Sequence, residues 1–137
     1  MRLLPRDALA SPWLDRFLVC VMLLVTSAMQ AASAQAPQEI ETTMKNMLAA
    51  TQTRSLADFV AGGDTKFQST MSKPMLDSFS AQFAPRLKEG YTANFLGRLN
   101  QGGYEIYLWK LEFKDGGDDR LVQLVVKDGK VNGFFLR

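Results

Sequence analysis

Histidine is absent from this 137-residue chain, and Cys20 is its only cysteine. The first absence removes the side chain that most often serves as a general base near neutral pH, and the commonest metal ligand. The second excludes a disulfide framework or a thiolate metal site built within one chain. Neither sign of charge dominates, with 16 Lys and Arg against 14 Asp and Glu. Neutralising phosphates needs a dense basic face, so nucleic acid is not an expected partner. No Ser-His pair, phosphate-binding loop or metal-ligand cluster stands out. Asp115, Asp118 and Asp119 lack calcium-loop spacing and read as a turn. The sequence therefore implies no cofactor and no metal.

What is present begins with an address. Arg2, Arg6 and Arg16 precede an apolar run from Phe17 to Met29. That run falls short of the ~20 residues a membrane span takes. It fits the core of a signal peptide, and Ala32-Ser33-Ala34 supplies a small-x-small cleavage site. Residues 1–34 are expected to be a signal peptide, with an uncleaved anchor as the alternative. Cys20 would leave with it. Residues 35–137 are then a single domain, secreted or periplasmic, with no stable membrane span after cleavage.

That domain divides into helical signals, about 37–89, and strand signals, about 91–136. Helices followed by strands indicate α+β. The first helix should start at Pro37 and bury Ile40, Met44, Met47 and Leu48, with Glu39, Glu41 and Lys45 facing water. The second is announced by the cap Ser55, carries Leu56, Phe59 and Val60, and ends at Gly62-Gly63. The third has Ser72 as cap and Pro74 in its first turn. Its stripe is Leu76, Phe79, Phe83 and Leu87, and Pro85 is expected to break or kink it. Asp64 to Met71 fits a strand, a helical turn or a loop.

Short separators rich in Gly, Asn and Asp ("NQGG", "DGGDD", "DG") delimit four strands and predict a four-stranded antiparallel meander. Asp128-Gly129 predicts a two-residue type I′ turn pairing Val126 with Val131, Leu124 with Gly133 and Val122 with Phe135. A four-residue loop, Gly116 to Asp119, then places Tyr107, Trp109, Leu111 and Phe113 on that inner face. A three-residue loop, Gln101 to Gly103, adds Tyr91, Ala93, Phe95, Gly97 and Leu99. The apolar ending "GFFLR" is explained if Phe135 belongs to the core. Leu96, Ile106, Leu108, Leu121, Val125, Phe134 and Leu136 fall on the other face, which is more apolar than scattered exposure accounts for.

Gly63-Asp64, Phe67, Thr70-Met71, the run Asp128-Gly129-Lys130-Val131 and Gly133, in this order of helices and strands, resemble small secreted bacterial domains of unknown function. These belong to the nuclear-transport-factor-two-like superfamily of cystatin-like α+β cones. The resemblance covers about residues 40–137. It implies a curved sheet wrapped on helices, often with an internal pocket and often dimeric through the outer sheet face. Catalytic members such as ketosteroid isomerases use acids and tyrosines, and no such motif transfers to this chain.

Two candidate surfaces follow. Tyr91, Phe95, Tyr107, Trp109 and Phe113 form an aromatic cluster that suits either an apolar ligand pocket or plain core. The seven apolar outer residues suit a homodimer or a protein partner. Asp58 and Asp64 are acids near the cone, more simply explained as helix-cap and turn residues. The expected function is an exported binding or interaction module. The alternative is a small enzyme acting on an apolar substrate through Tyr and Asp groups in the cone.

Overall fold

A computed structural model describes residues 35–137; the expected signal peptide lies outside the described residues. Four helices precede the sheet: α1 (Gln38–Thr53), α2 (Leu56–Val60), α3 (Thr65–Thr70) and α4 (Lys73–Glu89). Four strands follow: β1 (Tyr91–Gln101), β2 (Tyr104–Phe113), β3 (Arg120–Lys127) and β4 (Lys130–Leu136), in the order β1-β2-β3-β4 and antiparallel throughout. The fold is the expected α+β meander. None of the described helices is long and apolar enough to cross a membrane.

Local chemistry sets the helix starts. Ser55 and Ser72 each accept the backbone N–H three residues on, from Asp58 and Met75, both at 3.4 Å. The ambiguous segment is helical because Asp64 caps it, its Oδ1 accepting the Phe67 N–H at 2.7 Å. Pro85 does not break α4, which continues to Glu89. A proline inside a helix costs about 3 kcal/mol. Buried Ala84 and Leu87 flank it, and their packing holds the turn in place.

The core lies between the helices and one face of the sheet. Met44, Met47 and Leu48 of α1 and Leu76 and Leu87 of α4 cluster there with Trp109, Leu111, Val122, Leu124, Phe134 and Leu136. Two bulges and a slide correct the expected registers. Phe95 pairs with Trp109 but Gly97 with Leu108, so Leu96 is an extra residue in β1. The φ of Gly97 is 155°, a conformation that suits glycine. Beyond this bulge Leu99 faces Ile106 on the outer side, against expectation, and a two-residue turn, Gly102-Gly103, closes the hairpin. Trp109 pairs with Val122 rather than Val126, a slide of even parity that keeps every side chain on its expected face.

The third correction is in β4. Asp128 and Gly129 have φ of 52° and 73°, as a type I′ turn requires, and Val126 pairs with Val131 as expected. Asn132 is then extra, and Leu124 pairs with Phe134, Val122 with Leu136 and Gln123 with Phe135. Phe134 and Leu136 are therefore core, and Phe135 is 43% exposed. The free edge of β4 is partly closed. Val131 N–H donates to Gly62 O at 2.8 Å, and Asp64 N–H to Val131 O at 2.9 Å.

Candidate functional site: the two faces of the sheet

The inner aromatic cluster is chiefly packing. Tyr107, Trp109 and Phe113 are buried, while Tyr91 and Phe95 are half-buried along β1. Phe95 lies 5.5 Å from Trp109 and 6.5 Å from Tyr107 between ring centres. Phe113 is capped by the Arg86 guanidinium, 3.9 Å above its ring. Phe95, Tyr107 and Trp109 thus pack ring against ring, and Phe113 packs under Arg86 of α4.

An open cleft of about 690 Å³ does lie at the margin of this cluster, between the first half of α1 and the middle of β1. Glu41, Thr42, Lys45, Ala93 and Phe95 line it. Glu41 was expected to face water. Instead its Oε2 accepts the buried Trp109 indole N–H at 2.8 Å, and Lys45 Nζ sits 3.3 Å from its other oxygen. A buried indole needs an acceptor, a signal from which some such partner could have been expected. The partner lies 68 residues away, so spacing could not name it. Burial, and then the charge of Glu41, push the Tyr91 phenol above its usual range. Burial does the same to Tyr107, whose hydroxyl donates to Glu105. Arg98 approaches Glu105 at 3.8 Å from across the hairpin.

Asp58 and Asp64 serve local structure, the first through its backbone N–H and the second as a cap. Asp115 is held by Arg86 Nε at 2.6 Å and by the Gly117 N–H at 2.8 Å, while Asp119 turns toward Lys110 at 3.8 Å. The three loop acids are thus dispersed, and no group of three metal-ligating side chains occurs among the described residues.

The outer face keeps five of the seven residues assigned to it: Leu96, Ile106, Leu108, Leu121 and Val125. Phe134 and Leu136 leave it for the core because of the Asn132 bulge. Leu99 and Phe135 replace them. Leu96, Leu99 and Phe135 are 57%, 52% and 43% exposed, and Met75 is the other large apolar side chain left exposed among the described residues. A groove of about 530 Å³ runs beside α3 over Tyr104, Ile106, Val125 and Phe135. At the far end Lys110 bridges Glu112 at 2.7 Å and faces Asp119 at 3.8 Å.

Neither a scan against protein-family models nor a search of curated proteins gives a match. Among solved structures, the chain is similar to an uncharacterized cystatin fold protein from Novosphingobium aromaticivorans. Identity is 15% and the TM-score 0.39, over 74% of this chain and 99% of that one. The order of helices followed by an antiparallel meander is a property of the chain's own described residues, and the nuclear-transport-factor-two-like assignment gains nothing from these comparisons.

Proposed function

We propose that the protein is an exported binding module that works through the outer face of its sheet, with a second copy of the chain as the partner that face fits. The carrying observation is the exposure of Leu96, Leu99 and Phe135 on one face, continuous with Ile106, Leu108 and Val125. Contiguous apolar surface of this kind marks contact sites. A two-fold contact sets the same patch against itself, so it tolerates no uncompensated charge of one sign. Leu96, Leu99, Ile106, Leu108, Val125 and Phe135 carry no charge, and Lys110 beyond them pairs with Glu112. Catalysis is the weaker reading, because Glu41, the acid at the inner cleft, is already engaged by Trp109 and Lys45.

Light scattering over a dilution series of the purified protein tests this. A dimer is expected, and Leu99→Glu should weaken it by ~30-fold or more, as removal of an interface anchor does. The variant should keep its fold, since Leu99 is 52% exposed. A protein that stays monomeric at every concentration overturns the second-copy reading.

A further inference from the structure

The sheet has two margins, and among the described residues only one is closed. At β4 the chain itself supplies an isolated parallel bridge between Gly63 and Val131. Among the described residues β1 pairs with β2 alone. The direction of its backbone groups follows from the ladder. Lys114 N–H donates to Gly90 O at 2.9 Å, which makes that opposed pair a hydrogen-bonded one. Bonded and non-bonded pairs alternate along an antiparallel ladder. Thr92 and Asn94 therefore turn their backbone groups toward β2, and Tyr91, Ala93 and Phe95 turn theirs outward. Among the described residues no hydrogen bond from outside the ladder reaches those three.

Edge strands are ordinarily blunted by charge, proline or a bulge. The stretch Tyr91 to Phe95, "YTANF", has neither charge nor proline, and the bulge comes only after it, at Leu96. The same stretch borders the 690 Å³ cleft, with the first half of α1 on the other side. Ala93 and Phe95 thus offer free backbone groups to the edge and apolar side chains to the cleft at once.

We propose that this edge binds an extended peptide segment of a partner protein by strand addition. The segment alternates apolar and uncharged polar residues over about five positions. Its backbone bonds to Tyr91, Ala93 and Phe95, as in other strand-addition complexes. Its apolar side chains lie against Ala93 and Phe95 on the β1 wall of the cleft, whose α1 wall carries Glu41, Thr42 and Lys45, and its polar ones lie beside Thr92 and Asn94. A lone segment fits better than a second copy. A copy joining through the same edge would bring its own α1 against this one. The inference rests on β1 and the cleft, not on the outer face, so it stands or falls separately from the dimer.

The probe is a capped decapeptide of alternating valine and threonine with a lysine at each end, titrated into isotope-labelled protein. Binding should shift the amide resonances of Tyr91, Ala93 and Phe95 and slow their hydrogen exchange, with little change in exchange at Thr92 and Asn94. Ala93→Pro removes one outward donor without touching the β2 ladder and should weaken binding ~10-fold or more, as loss of a backbone hydrogen bond does. Thr42→Trp fills the cleft from the exposed side of α1 and should do the same. It carries the test if the proline variant does not fold. No binding at millimolar peptide overturns the proposal. So does undiminished affinity in the folded variants, or a response centred on Leu99 and Phe135.

Discussion

Phe134 and Phe135 are neighbours with opposite surroundings. Phe134 meets the rings of Phe59 and Phe79 edge-on, at 5.7 and 6.1 Å, and is 8% exposed. Phe135 folds over Gly133 on the outer side, where a Cβ on that glycine would come within 3.0 Å of its ring. Phe134→Ala should cost about 3–5 kcal/mol in urea unfolding, and Phe135→Ala no more than about 1 kcal/mol. The alternation in "VNGFFL" fits either register, so alternation alone does not decide which phenylalanine is core. The clue was Gly133, which the expected register left as a hole in an otherwise apolar inner face. A second residue-scale expectation concerns acid. The Arg86 hydrogen bond first, and the Gly117 N–H next, hold the Asp115 carboxyl below its usual range. A carboxyl depressed on folding adds stability above its unfolded pKa and loses it as pH falls through the folded value. Asp115→Asn should therefore lose less stability than the parent protein when urea midpoints are followed from neutral pH to below about 4, the ordinary carboxylate range.

Elements were legible where their signals were local. Ser55, Ser72, Pro74 and the Asp128-Gly129 turn announce their boundaries, and the structure places helices and hairpin there. α3 was not legible, because a six-residue helix is unstable alone and depends on its cap and on Phe67 packing against Phe59. Asp64→Ala should cost about 1 kcal/mol through loss of the cap. The exchange of the Val131 amide, which donates to Gly62 just ahead of α3, should quicken with it. Pro85 shows the converse. The local rule against proline is sound, yet α4 runs through it because the helix is packed on both sides of that turn.

At the scale of the molecule, strand order and the division into two faces could be read from loop length and alternation. The even-parity slide between β2 and β3 left that division intact, whereas the single-residue bulges in β1 and β4 did not. The inner cluster was recognised as aromatic, but its acid, Glu41, was hidden because no sequence rule joins α1 to β2 across the fold. The bulges also bear on how the gene can change length. Removing Leu96 or Asn132 would leave every other pair of the ladder as it stands: Phe95 with Trp109 and Gly97 with Leu108, or Val131 with Val126 and Gly133 with Val125. Removing Leu124, in the middle of β3, would turn the rest of that strand inside out. In-frame loss of a codon, ordinarily among the most damaging events in a sheet, is therefore absorbed at these two positions, and the lineage of this domain can shorten there without losing its core.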